Sequence, residues 1–416
     1  MSQATRILVA LIAGIALGIG AAALHGNWAA IGIMIFQPIG TAWLNGLQMT
    51  IVPLVIALLV LGVAATADAA RAGLIATRSM ILFIAILWTS SILAAVLTPL
   101  LLKLWPLAPD AASALKTALI GSKPVGTVPP FGEFLAAIVP SNPVTAAAND
   151  AFLPLIVFSL VFAFAITRLP KERRDLLTNF FHAVSETMLV MINWVLWLAP
   201  IGVFALAFLV GAKAGTAAFG ALLHYVLIVS GVGIVVWIVS FPLGAIGGRV
   251  SLGRFVRATA PAQAVAISTQ SSLASLPAML RGAEAIGVPD TTSGIVLPLA
   301  VAIFRATGPA MNLAVAIYIA VWFGVPLTPA SLGAGIAVAA ITTMGAVSLP
   351  GAISYVSSIA PIAAAMGVPI APLGLLVAVE TFPDIFRTLG NVTMDLAATA
   401  TIARWSGTEE ATPPES

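Results

Sequence analysis

Apolar runs long enough to cross a bilayer decide what class of fold this chain can adopt. A spanning helix needs about 20 predominantly apolar residues. Runs of that kind occupy 7–24, 45–66, 80–102, 150–168, 187–211 and 222–247. The rest of the chain cannot provide a soluble surface. Only 8% of its 416 residues are charged and 60% are hydrophobic, whereas a water-soluble domain carries roughly a quarter of charged residues. Lipid is therefore the solvent, and the fold class is an all-α polytopic membrane protein. The first run, 7–24, is a span and not a signal peptide, because more spans follow and no clear cleavage site stands out.

The basic residues lie between the apolar runs and set the orientation. With the N-terminus in the cytoplasm, Arg6, Arg71, Arg78, Arg168, Lys171, Arg173, Arg174, Arg249, Arg254, Arg257, Arg281 and Arg404 fall inside. Lys103, Lys116, Lys123 and Lys213 fall outside. This bias is what the positive-inside rule demands, and it places both termini in the cytoplasm and the protein in the inner membrane. The cluster from Thr167 to Arg174 is the firmest cytoplasmic marker and reads as a solvated loop. Residues 104–149 form a Pro- and Gly-rich stretch outside, and the polar tail after Arg404 is expected to be disordered.

Several chemistries are excluded. The chain has no cysteine, so thiol catalysis, disulfides and Cys-based metal sites cannot occur. Its histidines, His25, His182 and His224, lie far apart without metal-binding spacing. No cofactor is expected. A net charge of +3 carries no signal for nucleic acid. His182 and Glu186 read as an interfacial polar pair, Asp150 as a helix cap, and the tryptophans as interfacial anchors.

Beyond residue 255 the apolar pattern breaks. Two segments read as hairpins that dip into the membrane and return. The first covers 258–288, with its tip at 268–277. The second covers 334–368, with its tip at 348–352 and Ser354 just beyond. Each arm is too short to cross alone, and each tip holds Pro among Ser or Gly, which opposes a regular helix. Irregular backbone at membrane depth survives only against protein or a water-filled cavity. A pair of interrupted apolar segments is the best sequence pointer to a transporter's binding site. Between the hairpins, the span 293–323 is interrupted at 305–309 by Arg305-Ala-Thr-Gly-Pro309, where Gly and Pro are expected to unwind it. A lone cation at mid-span costs several kcal/mol unless paired or hydrated.

The last helix carries Glu380, Asp384, Arg387, Thr388, Asn391 and Asp395. At about 100° per residue these positions fall within roughly 100° of arc. Charges inside a span face a cavity or one another and mark a solute or ion pathway. A structural ion-pair ladder is the plainer alternative, but three acids and one base leave charge uncompensated.

These residues resemble a known family. Gln48-Met-Thr-Ile-Val-Pro-Leu-Val55, Val139-Pro-Ser-Asn-Pro143, Leu198-Ala-Pro-Ile-Gly-Val-Phe204 and above all Asp384-x-x-Arg-Thr-x-x-Asn-Val-Thr-x-Asp395 are similar to the dicarboxylate/amino acid:cation symporters. The resemblance covers nearly the whole chain. It implies eight transmembrane helices plus two re-entrant hairpins in a homotrimer with an elevator fold. Scaffold spans would cover 1–78 and 150–215. The transport core would be span three at 79–103 and the segment 216–404, with an extracytoplasmic loop at 104–149 and a tail at 405–416. The resemblance further implies that Arg387 holds the solute's side-chain carboxylate through its planar fork and that Asp384 receives an ammonium. Thr388, Asn391, Ser271, Ser272, Pro350 and Gly351 would hold the remainder of the solute. Asp395 and Asn391 would belong to a cation site. An acid at Asp384 favours aspartate or glutamate over a C4-dicarboxylate.

The match fails in the seventh span. Where sodium-coupled relatives carry Asn-Met-Asp-Gly-Thr, this chain has Phe304-Arg-Ala-Thr-Gly308. Phe and Ala supply no side-chain oxygen to sodium. Arg305 either acts as a tethered cation that neutralises Asp395, with a proton carried on Glu380 or Asp384, or it contacts the solute. The first alternative makes the chain a proton-coupled importer of a small acidic solute with lost or reduced sodium dependence. A sodium-coupled C4-dicarboxylate symporter, an uncoupled uniporter or channel, and a solute sensor are the rival classes. An enzyme is not expected, since no Ser–His, paired-Asp or metal arrangement is present.

Overall fold

The computed structural model describes residues 3–24, 27–71, 73–107, 139–149, 152–215, 217–345 and 352–407. All regular elements among these residues are helical. In chain order they are α1 (Gln3–Ala23), α2 (Trp28–Gln48), α3 (Ile51–Arg71), α4 (Leu74–Leu104), α5 (Pro143–Ala148), α6 (Phe152–Thr167), α7 (Lys171–Trp197), α8 (Ala199–Ala214), α9 (Ala217–Gly247), α10 (Leu252–Thr269), α11 (Ser272–Ala285), α12 (Asp290–Ile303), α13 (Thr307–Phe323), α14 (Pro329–Gly345), α15 (Ala352–Ala365), α16 (Leu373–Leu376) and α17 (Thr381–Trp405). A 3₁₀ turn, Val377–Val379, leads into α17.

Small residues bring the N-terminal helices together. In lipid, association relies on close backbone packing more than on hydrophobic burial. Gly14 and Gly18 on α1 meet Gly211 and the Phe204–Phe208 stretch of α8. A Cβ at Gly18 would stand 2.3 Å from the Phe208 carbonyl oxygen, and one at Gly211 the same 2.3 Å from that of Ile15. Only glycine permits that approach. α2 packs on the other side of α8, and α3 packs against α6, α7 and α14.

The C-terminal half is built around two helices buried nearly all round, α13 and α17. α17 lies along α9, α10, α11 and α12, while α13 lies along α4 and α9. Arg78 at the start of α4 donates to the Trp405 carbonyl at the end of α17, and Arg404 donates to the Ile246 carbonyl near the end of α9. These three helix ends therefore gather on one side. The end of α4 and the start of α9 meet on the opposite side, where His224 contacts the Trp105 carbonyl at 2.9 Å.

Several sequence expectations need correction. The second span does not begin at 45. The apolar helical stretch runs from Trp28 to Ala64, with only Met49 and Thr50 separating α2 from α3. Gln37, Pro38, Thr41 and Asn45 dilute its hydropathy without ending it, and Pro38 lies inside α2. The expected span 187–211 crosses a break at Leu198, because Pro200 suits the first turn of α8, where its missing N–H has no partner to lose. The cluster 167–174 is not a loop throughout: α7 starts at Lys171, whose ammonium pairs with Asp175 one turn on at 2.7 Å. His182 and Glu186 form an exposed pair at 3.7 Å. Asp150, His25, Lys116, Lys123 and the tail from 408 lie outside the described residues.

The first interrupted segment folds back on itself. α10 and α11 pack together so closely that a Cβ at Gly282 would meet the Ala258 carbonyl oxygen at 2.6 Å. Its turn is shorter than the Ser/Pro stretch suggested. Gln270 alone takes left-handed backbone (φ 50°), and Ser271 caps α11 by accepting from the Ala274 N–H. Pro277 sits inside α11, since one lost backbone bond is tolerated where neighbouring helices enclose the segment. α14 and α15 likewise pack against each other. Their connection, including Pro350 and Gly351, lies outside the described residues. Gly308 and Pro309 do not unwind the apolar stretch 293–323. They begin α13, and the break falls one turn earlier, with Phe304 extended and Arg305 non-helical.

Candidate functional site

The helical period of α17 places Asp384, Arg387, Thr388, Asn391 and Asp395 along one face, with Glu380 at the residue preceding the helix. Residues three and four apart on a helix are neighbours, so Arg387 reaches back over the first turn. Its Nη1 donates to Glu380 Oε1 and, at 2.9 Å, to Asp384 Oδ1. Both acids are buried, Glu380 to 2% exposure. Nε and Nη2, the other edge of the same guanidinium, are buried without a hydrogen-bond partner among the described residues. A planar fork with one edge held and one edge free fits a bidentate carboxylate. A buried unpaired donor is costly unless a ligand satisfies it.

The middle of the stripe locks α17 to α13. Asn391 Oδ1 accepts from the Thr307 backbone N–H at 3.0 Å and from its hydroxyl at 2.7 Å. The same Thr307 hydroxyl also lies 2.8 Å from the Arg387 carbonyl, and its one proton goes to either of the two oxygens. Gly390 allows this approach, because a Cβ there would meet Thr307 Cγ2 at 2.3 Å. Thr388 turns its hydroxyl back to the Asp384 carbonyl at 2.9 Å. The α10–α11 turn joins the same region, since Gln270 donates to the Thr381 carbonyl at 3.0 Å.

The far end of the stripe is different. Asp395 is fully buried, and both its oxygens are without a hydrogen-bond partner among the described residues. Arg305, at the α12–α13 break, lies within electrostatic reach of Asp395, Asp384 and Arg387 but forms no ion pair with any of them. Its Nε and Nη2 are also shielded and without a hydrogen-bond partner among the described residues. Phe304 stacks on Phe83 of α4, with ring centroids 4.2 Å apart and planes within 7°. The Ala306 carbonyl accepts from Ser90 Oγ at 2.5 Å.

The chain as a whole, an apolar helical body with this charged stripe inside it, has relatives among known proteins. Residues 4–405 match the model of the sodium:dicarboxylate symporter family. The chain belongs to that family. It is 29% identical to the proton/glutamate-aspartate symporter of Escherichia coli (strain K12), over 97% of this chain and 93% of that protein. It is 26% identical to a C4-dicarboxylate transport protein of Leptothrix cholodnii, over 97% and 88% of the two chains. It is also 26% identical to the proton/sodium-glutamate symport protein of Bacillus caldotenax, over 97% and 94%. The family consists of transporters and not of enzymes. Together with its long apolar helices, membership makes the protein a multi-pass membrane protein.

Of the residues singled out in the sequence, the symporter's fold brings Glu380, Asp384 and Arg387 into one ion-paired cluster. Thr388 and Asn391 follow on the same face. Ser271 and Ser272 stand at the N-terminus of α11, which packs on α17. Thr307, Gln263, Tyr225 and Tyr355 were not foreseen. Gln263 of α10 donates to the Thr393 hydroxyl at 3.0 Å. Tyr225 donates to Glu380 Oε2 at 3.4 Å and meets the Tyr355 hydroxyl at 2.8 Å. The available signal was rarity: the chain has only three tyrosines, each inside an apolar run.

Proposed function

We propose that this symporter imports an acidic amino acid, aspartate or glutamate, or a related dicarboxylate, across the inner membrane together with protons and with lost or reduced dependence on sodium. The observation that carries this reading is the division of Arg387. One edge is held by Glu380 and Asp384, and the other, without a partner among the described residues, suits a carboxylate. A proton arriving on Glu380 removes one negative charge from Arg387 and strengthens its hold on the incoming anion. Solute and proton are thereby favoured together. Asp384 keeps a carboxylate beside the fork, where a solute ammonium can pair with it.

The surroundings of Asp395 do not fit a sodium ion. Sodium wants several hard oxygen donors. Here Phe304 stacks on an aromatic ring, Ala306 has no side-chain oxygen and its carbonyl is engaged by Ser90, and Asn391 Oδ1 is engaged by Thr307. Arg305 adds a fixed positive charge facing Asp395 and substitutes for the cation.

The transport cycle follows the elevator scheme that the family resemblance implies. The spans are α1, α2–α3, α4, α6, α7–α8, α9, α12–α13 and α17, with α10–α11 and α14–α15 as re-entrant hairpins. Spans one, two, four and five form the scaffold of a homotrimer, and the remainder moves. A polar line on α2, Gln37, Thr41 and Asn45, is exposed in a single protomer. Facing another copy, and not lipid, would relieve its cost.

A C4-dicarboxylate is the second reading. It is favoured by the edge of Arg305 that has no partner among the described residues and lies near Arg387, which offers a place for a second carboxylate. Uptake of radiolabelled L-aspartate into proteoliposomes, with pH and sodium gradients imposed separately, tests the proposal. Accumulation driven by the pH gradient alone is expected, with succinate as a weak competitor. Uptake that requires sodium would refute the reading of Arg305, and strong competition by succinate would favour the second solute.

A further inference from the structure

All three tyrosines of the chain meet beside the candidate site, and among the described residues two of them connect to it by hydrogen bonds. Tyr225 comes from α9, Tyr318 from α13 and Tyr355 from α15. The Tyr318 ring stands edge-on to Tyr225 with centroids 5.3 Å apart, but its hydroxyl turns away to the Ala221 carbonyl and His224. The Tyr225 hydroxyl lies between the other two groups, 2.8 Å from Tyr355 Oη and 3.4 Å from Glu380 Oε2. Tyr225, Tyr355 and Glu380 are 0%, 2% and 2% exposed, so water does not compete for these bonds.

Each phenol has one proton to donate. With Glu380 ionised, Tyr225 donates to the carboxylate, which leaves Tyr225 Oη to accept from Tyr355. The chain of bonds then runs from α15 toward Glu380. With a proton on Oε2, the carboxyl group donates to Tyr225, Tyr225 donates to Tyr355, and the direction reverses. Tyr355 then becomes an acceptor where it was a donor, and its own proton loses its buried partner. The charge-assisted bond to the carboxylate, stronger than a neutral one, is lost at the same moment.

We propose that Tyr225 and Tyr355 are positioning residues that transmit the protonation of Glu380 to α15, so that this helix is held firmly against α9 and the start of α17 in one protonation state and loosely in the other. The inference rests on the proton reading of Glu380 given above. Charged and titratable groups facing Glu380 are Arg387 and Asp384 from α17 and Tyr225 from α9, with Tyr355 from α15 behind it. α1 and α16, near the 3₁₀ turn before Glu380, bring no charged group to it among the described residues. α15 packs directly on that turn, so a change in the tyrosine bonds bears on a helix already in contact.

The chain lacks cysteine, so Ala364→Cys, half-buried on α15, provides a unique thiol for a nitroxide label. Its spectrum, recorded on the full-length protein in lipid, is expected to change between about pH 5 and about pH 8, the range in which coupled proton sites operate. Tyr355→Phe and Tyr225→Phe should abolish the change, Glu380→Gln should freeze it at both pH values, and Tyr318→Phe should leave it intact. In uptake, Tyr355→Phe should lower accumulation driven by a pH gradient about tenfold while solute exchange at equal pH stays within about twofold. Equal loss of both activities would mean that the hydroxyl only supports packing, and loss of neither would overturn the coupling. A wild-type spectrum indifferent to pH would overturn it whatever drives uptake. A pH-dependent spectrum in a protein whose uptake ignores the pH gradient would leave the tyrosine link standing and sink proton symport instead.

Discussion

The two ends of the charged stripe on α17 hold their charges in opposite ways. At the N-terminal end, Arg387 engages Glu380 and Asp384 directly, and a tyrosine completes the second oxygen of Glu380. Four residues beyond Asn391, Asp395 is fully buried with neither oxygen hydrogen-bonded among the described residues, and the cation within its field, Arg305, does not touch it. Ion pairs buried in a low-dielectric interior need close geometry and added hydrogen bonds to offset desolvation. The first end meets that requirement with one guanidinium edge to spare. The second relies on through-space neutralisation alone. Under the proposed function this difference has a use: the satisfied cluster serves as the handle for solute, whereas the unsatisfied pair is sensitive to any charge that enters.

The largest effect is expected at the handle. Arg387→Lys keeps the charge but loses the fork, leaving a point charge to serve two acids and a solute carboxylate. Uptake should fall by at least about 100-fold, given the roughly 3–5 kcal/mol at stake when a buried pair loses its geometry. The check is uptake measured alongside the amount of monodisperse purified protein. Near-normal uptake would remove Arg387 from the solute site and erase the contrast between the two ends.

An intermediate effect is expected at the other end. Arg305→Met leaves Asp395 without a compensating charge and should lower uptake about tenfold, and Asp395→Asn should do the same by stranding Arg305. Together they should recover most of the loss, because residues that neutralise each other show coupling of about 0.5–3 kcal/mol. Strictly additive losses in this double-mutant cycle would show that Arg305 and Asp395 act separately.

The smallest effect concerns the joint between the two ends. Thr307→Val removes the hydroxyl that binds Asn391 Oδ1 and leaves the backbone bond in place. The expected cost is about 0.5–1.5 kcal/mol, seen as a lower thermal midpoint. Uptake should fall only a few-fold. A collapse of uptake as deep as that of Arg387→Lys would mean that the joint itself belongs to the solute site.

The sequence carried the solvent class, the spacing of the polar stripe and the order of interrupted segments. These are properties of one chain segment at a time: apolar length against bilayer thickness, and helical period against residue number. Boundaries were harder, because proline does opposite things by position. Pro38 is carried inside α2, while Pro200 starts α8. A one-dimensional pattern does not contain the neighbours that decide between those outcomes.

Only the tertiary structure decided which edge of Arg387 is held by acids, that Phe304 stacks on Phe83, that Asn391 is committed to Thr307, that Arg305 and Asp395 stay apart, and that tyrosines from α9 and α15 converge on Glu380. Each of these joins residues 84 to 221 positions apart in the chain, or, for Arg387, chooses among donors of a single side chain. Helical periodicity tells which face a residue occupies. Which other helix that face meets, and at what distance, depends on how side chains interlock across the whole packed body.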